Sequence, residues 1–106
     1  MRTQKVVAQD FAVNGWPWAE SAGAGRNGED ILGVPGLSVE VKARTGFNPL
    51  AWVKQPEKHN GLPFAIMRCN GQGEDAGEYI VLIKLKNFYP LLHAAGYGTT
   101  PEGRAL

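Results

Sequence analysis

Several residue types are scarce in this sequence, and each shortage removes a class of function. One cysteine, Cys69, and two histidines, His59 and His93, stand among the 106 residues. A lone cysteine forms no internal disulfide, which fits a reducing compartment, and Cys69 reads as a small buried residue in a strand. So few sulfur and imidazole groups argue against a structural zinc site. Apolar runs are short, and none approaches the roughly 20 residues of a membrane-spanning helix. The N-terminus, Met1-Arg2-Thr3-Gln4-Lys5, leads into a mixed helix instead of an apolar signal segment, so a cytoplasmic location is expected. Charge of one sign is scarce too. The formal net charge is +1, low for a nucleic-acid binder, so any such role must rest on local clusters. There is no repeat and no low-complexity segment. The composition is that of a globular chain, and 106 residues suit one domain. That domain is expected over 1–96, with a Gly-, Thr- and Pro-rich tail over 97–106 ordered only in part.

What is present is organised around residues 28–44. Val34-Pro35-Gly36-Leu37 fits a type II turn: Pro sets the first central φ, and Gly tolerates the positive second one. The turn joins two short strands. After it, Leu37, Val39, Val41 and Ala43 fall on one face, and Ser38, Glu40, Lys42 and Arg44 on the other. The apolar set wants a core. The other set puts a carboxylate beside an ammonium, with Asp30 available from the preceding strand. Two carboxylates converging on one spot make a site for a hard cation, and a lysine beside them can hold or polarise what the cation activates. The plain alternative is a solvated ion pair of Glu40 and Lys42 on an amphipathic hairpin, which needs no function.

The rest of the chain frames this hairpin. Residues 3–14 read as a helix with a broad apolar stripe, stopped at Asn14-Gly15. Trp16-Pro17-Trp18-Ala19-Glu20-Ser21 reads as a short extended segment. Residues 22–28 form a glycine-rich loop that lacks the G-K-[ST] ending of a phosphate-binding loop. Asn48 as N-cap and Pro49 after it start a helix toward Asn60, with Gly61 as its stop and Pro56 kinking it or ending it early. Residues 64–69 form an apolar strand. Residues 79–85 look like a strand buried on both faces. Asn87 is expected to cap a final helix from Phe88 to about Ala95. The order is α, short β, β, β, α, β, β, α.

Asp30 with Glu40-Val41-Lys42, placed on such a hairpin, resembles the PD-(D/E)XK nuclease superfamily; Glu29 stands where that family has a proline. The segment Ala51-Trp52-Val53-Lys54-Gln55 resembles the helix that follows this motif in phage-type Holliday junction resolvases. The resemblance implies an α/β fold with a restriction-endonuclease-like αβββαβ core, a mixed central sheet flanked by helices. It implies a metal-dependent DNA endonuclease with Mg²⁺ or Mn²⁺ held by Asp30, Glu40 and the carbonyl of Val41. Lys42 would position the attacking water or stabilise negative charge, Glu20 would complete the metal shell, and Gln55 would orient the water or hold the lysine. Arg26, Arg44, Lys54 and Lys58 would grip DNA phosphates. Small members of this kind act on branched or four-way DNA in recombination as homodimers, and they suggest a phage protein in a host cytoplasm. Three other readings stay open: a different nuclease of the same fold, a catalytically silent DNA-binding module, and an α/β interaction protein with no nucleic-acid role.

Overall fold

The computed structural model describes residues 2–23, 30–43, 46–101 and 103–104. The first helix, α1, spans Arg2–Val13 and buries Thr3, Gln4, Val7 and Ala8, which recur at helical spacing on one face. It ends where the Asn14 side-chain amide donates to the carbonyl of Asp10 at 2.8 Å and Phe11 meets Trp16 edge-on, ring centroids 5.3 Å apart. Two short strands follow, β1 (Glu20–Ser21) and β2 (Ile31–Leu32), paired antiparallel with Glu20 opposite Leu32. β3 covers Leu37–Ala43. The turn before it closes as expected: the Leu37 N–H donates to the Val34 carbonyl at 3.1 Å, with Gly36 at φ +79°.

α2 (Pro49–Lys54) then gives way to a 3-10 turn over Gln55–Lys58. Pro56 explains the change, since it has no N–H for the α-helical ladder. Asn48 makes no side-chain cap, so the start of α2 rests on Pro49 at its first turn. β4 (Leu62–Arg68) runs parallel to β3, as a strand–helix–strand crossover requires. A short 3-10 turn (Ala76–Glu78) precedes β5 (Ile80–Leu82), which pairs antiparallel with β4. The last helix, α3, covers Leu85–Ala94. The fold is therefore mixed α/β, with a two-stranded sheet β1-β2 and a mixed sheet of order β3-β4-β5. Among the described residues, no helix is long and apolar enough to cross a membrane.

The mixed sheet has a core on each face. Val39 and Val41 of β3, with Phe64 and Ile66 beside them on β4, meet Val7 and Ala8 of α1; Ile31, Val34 and Tyr79 complete this cluster. On the opposite face, Trp52 and Val53 of α2 pack on Ala65, with Met67 and Leu82 around them. That second core rules against the plain alternative of a solvated ion pair of Glu40 and Lys42 on β3. Ser38, Glu40 and Lys42 are buried, because α2 and its 3-10 turn lie across them.

Three further expectations change. The strand expected over 79–85 shrinks to Ile80–Leu82 and is not buried on both faces; it is the sheet's edge, with Ile80 and Val81 exposed. The final helix begins at Leu85, before Asn87, because Leu85, Phe88 and Leu92 extend its apolar spacing backward. Cys69 lies just past β4 and is half-buried, its N–H donating to the Gln72 side chain at 2.6 Å.

Candidate functional site

Asp30 joins the two sheets. Its N–H donates to the Val39 carbonyl of β3 at 3.1 Å, and its carbonyl accepts from the Ala22 N–H at 2.9 Å, just past β1. The backbone thereby turns its side chain along β3, where Oδ2 accepts the Val41 N–H at 2.7 Å. A strand residue presents its N–H and its carbonyl to the same side. The Val41 carbonyl thus points to the same edge of β3.

Glu40 and Lys42 reach this spot from the face under α2. They are neighbours at strand spacing, and Lys42 Nζ stands 3.5 Å from Glu40 Oε1. Both side chains are almost nine-tenths buried. Ser38, one step earlier on the same face, donates its hydroxyl to the Pro56 carbonyl at 2.6 Å. This buried bond holds the 3-10 turn down on the strand and fixes the roof of the site. Sequence reading gave Ser38 no role. Its signal was its place in the row Ser38, Glu40, Lys42, opposite a helix whose adjacent Trp52 and Val53 need a surface to cover.

The electrostatics of the cluster follow from this geometry. Burial, first, pushes the Glu40 carboxyl up to about 7; hydrogen bonding to Asp30 and the negative charge of Asp30 push it the same way, while Lys42 pulls it back. Two carboxyls under one roof disfavour holding two negative charges. A proton relieves this, and so does a divalent cation. The carboxyls of Asp30 and Glu40 lie within hydrogen-bonding reach of one another, and oxygen donors of this kind suit a hard cation that keeps several waters. Among the described residues, no group of three or more His, Cys, Asp or Glu side chains is placed to hold a metal.

The remaining site candidates fall elsewhere. Glu20 is exposed on β1, and Gln55 is exposed at the first position of the 3-10 turn, outside the groups that set the Glu40 carboxyl. Arg26 and Arg44 lie outside the described residues. Lys54 and Lys58 are exposed on α2 and its 3-10 turn. They are joined by two lysines that sequence reading did not weigh. Lys84 pairs with Glu57 at 2.6 Å, and Lys84, Lys86 and Lys54 together hold the Glu57 carboxyl below its usual range. Chain order hides this grouping, because Lys84 and Lys86 come from the junction of β5 and α3. The aromatic residues divide as well. Trp16 is half-buried against Phe11, and Trp52 is buried with Phe47 edge-on to it at 5.6 Å. Trp18, 82% exposed, and Phe47, 64% exposed, are left at the surface.

Comparison with known families, with curated proteins and with solved structures finds no match for this chain.

Proposed function

We propose that this chain is a metal-dependent DNA endonuclease of the PD-(D/E)XK type, acting on branched DNA such as a four-way junction. One observation carries the reading: Asp30, Glu40 and Lys42 form a single cluster at the meeting of two sheets, with Glu40 and Lys42 buried and Asp30 partly so. Burying a carboxyl and an ammonium beside a second, partly buried carboxyl is costly for a small fold, and a hydrophobic set of the same volume is often more stable. Groups with such shifted ionisation are enriched at functional sites. The order α1-β1-β2-β3-α2-β4, with β3 parallel to β4, supports a restriction-endonuclease-like core.

In this reading Asp30, Glu40 and the Val41 carbonyl hold Mg²⁺ or Mn²⁺. When bound, the ion supplies Lewis acidity toward the scissile phosphate and lowers the pKa of a coordinated water. The chain's own residues do the rest. The Val41 N–H fixes the Asp30 carboxylate in place, so this ligand needs no reorganisation. Glu40, whose carboxyl is held protonated to about pH 7, would have to lose that proton to serve as a ligand, so cation binding would tighten as pH rises. Lys42, held beside Glu40, offers a fixed positive charge to the negative charge that develops on the phosphate oxygens. Lys54 and Lys86, gathered around Glu57, and Lys58 on the 3-10 turn would bind backbone phosphates, which position DNA without reading its sequence.

The test is cleavage of a labelled four-way junction beside a linear duplex of the same sequence, with Mg²⁺ and with EDTA, for wild type and Glu40→Gln. Paired nicks on the junction, lost with EDTA and with the variant, are expected. Cutting of both substrates keeps the nuclease and removes junction selectivity. Tight junction binding without cutting in Mg²⁺ or Mn²⁺ moves the protein to a silent binding module, and neither binding nor cutting refutes the proposal.

A further inference from the structure

α3 stands off the sheet and leaves an apolar cleft on the face that packs against α1. Among the described residues, no element packs closely along α3, and none of its own residues is buried. The cleft holds about 460 Å³. β4 and β5 supply Phe64, Ile66 and Val81 to its lining, and α3 supplies Phe88 and Leu91. Phe64 and Ile66 are buried, so this part of the lining is fixed in place by the core. The cleft and the carboxylate cluster lie on opposite faces of the sheet. Phe64 and Ile66 alternate along β4 with Ala65, which packs under Trp52 and Val53. A mostly apolar cavity of about 300–1,000 Å³ with a few placed polar groups is the usual form of a small-molecule site.

The polar groups here come from the end of α1. Asp10 and Asn14 both line the cleft, beside the rings of Phe11 and Trp16. Asp10 is half-buried in the last turn of α1. That is the negative end of the helix, and no basic residue in the turn offsets it. Among the described residues, no ion pair reaches Asp10. The Asn14 side-chain nitrogen is tied to the Asp10 carbonyl at 2.8 Å, which leaves its oxygen to accept. The Tyr79 hydroxyl is turned away to the Gly73 carbonyl at 2.8 Å, so Tyr79 gives the cleft its ring. A carboxylate at the wrong end of a helix, with no partner, is a local conflict of the kind found at functional sites.

We propose that this cleft binds a small organic ammonium, with its apolar body between the sheet and α3 and its charged head at Asp10. Charge complementarity selects the cation. The Asp10 carboxylate and the negative helix end repel an anion, and a neutral ligand leaves Asp10 without a partner. The rings of Phe11 and Trp16 beside Asp10 attract the same positive charge through their faces. Volume sets the body. A cavity of about 150 Å³ holds one benzene ring. The 460 Å³ here therefore accepts a ring with a chain of several carbons. Such a body also gives Phe88 and Leu91 the apolar contact that α3 lacks.

This inference goes beyond the nuclease reading and stands without it, since its test needs neither DNA nor metal. Methyl NMR of the whole chain in EDTA follows three ligands that share one body: phenylbutylammonium, phenylbutanol and phenylbutyrate. The ammonium is expected to shift the methyls of Ile66, Val81 and Leu91 and to leave those of Val53, in the other core, unmoved. It is expected to bind roughly tenfold or more tighter than phenylbutyrate, with phenylbutanol between them. Asp10→Asn is expected to erase the preference for the ammonium over the alcohol. Undiminished binding of the alcohol then shows that the cleft is intact. Asp10→Glu is expected to retain the preference. Equal affinity for the three heads overturns the proposal, as does the absence of any shift in these methyls at about 5 mM ammonium. So does a preference that survives Asp10→Asn. Methyls of Val81 and Leu91 that move on dilution of the protein alone place a second copy in the cleft and overturn it too. A chain that binds the ammonium as described but cuts no DNA upholds this inference and refutes only the nuclease reading.

Discussion

Lys42→Met tests the electrostatics of the cluster without disturbing its packing, because methionine keeps most of the volume and the flexible stem. Glu40 carries a carboxyl raised from 4.5 to about 7. The folded state thus binds more protons than the unfolded one between those values, and stability falls as pH rises through that window. The loss is absent below about pH 4.5, complete above about pH 7, and on the order of 3 kcal/mol in all. Lys42, 3.5 Å away, opposes the shift. Without its ammonium, Glu40 keeps its proton to higher pH and the window extends upward. The variant then goes on losing up to about 1.4 kcal/mol for each pH unit above neutrality, where the wild type has levelled off. Urea unfolding in EDTA, followed by tryptophan fluorescence, measures this directly. The variant is expected within about 1 kcal/mol of wild type near pH 5.5, where Glu40 is protonated in both, and about 1–2 kcal/mol less stable near pH 8.5. A difference independent of pH, or larger in acid, would refute the reasoning.

Other outcomes follow from single contacts. Ser38→Ala removes one of the two donors to the Pro56 carbonyl, which still accepts the His59 N–H at 3.2 Å, and is expected to cost about 1 kcal/mol in thermal unfolding, loosening the roof as it does. Gly33→Ala sets a methyl carbon 2.0 Å from the Trp18 carbonyl oxygen at φ +76°, a clash with backbone, and is expected to cost at least about 2 kcal/mol by urea unfolding. Lys54→Gln combined with Lys86→Gln would remove two of the proposed phosphate contacts. It is expected to flatten the salt dependence of junction binding by roughly 2 units of log–log slope, and an unchanged slope would remove these lysines from the DNA surface.

Much of the frame was legible from local rules. Pro35-Gly36 dictated the turn, Asn14-Gly15 the end of α1, Pro56 the break in α2, and the alternation of β3 its two faces. Period-two spacing also brought Glu40 and Lys42 together, and the turn folded Asp30 back beside them. What escaped local reading depends on layers. Whether Glu40 and Lys42 are solvated or buried is decided by where α2 lies, and that is a property of the crossover, not of β3. The run at 79–85 looked central because its side chains are apolar, yet burial on both faces depends on what packs above and below the sheet, and β5 is an edge strand with Ile80 and Val81 left exposed. Lys84 and Lys86 joined the lysines near the roof through the return of the sheet, which no spacing in the sequence encodes.

The central claim is that Asp30, Glu40 and Lys42 are a hydrolytic site and not a structural knot. The most direct measurement is single-turnover cleavage of a four-way junction in Mg²⁺ by Asp30→Asn, paired with its unfolding free energy. The asparagine oxygen still accepts the Val41 N–H, so stability is expected within about 1 kcal/mol of wild type. Cleavage is expected to fall by roughly a hundredfold or more, because the charged ligand is gone. A variant that stays folded and cuts at the wild-type rate would contradict the account.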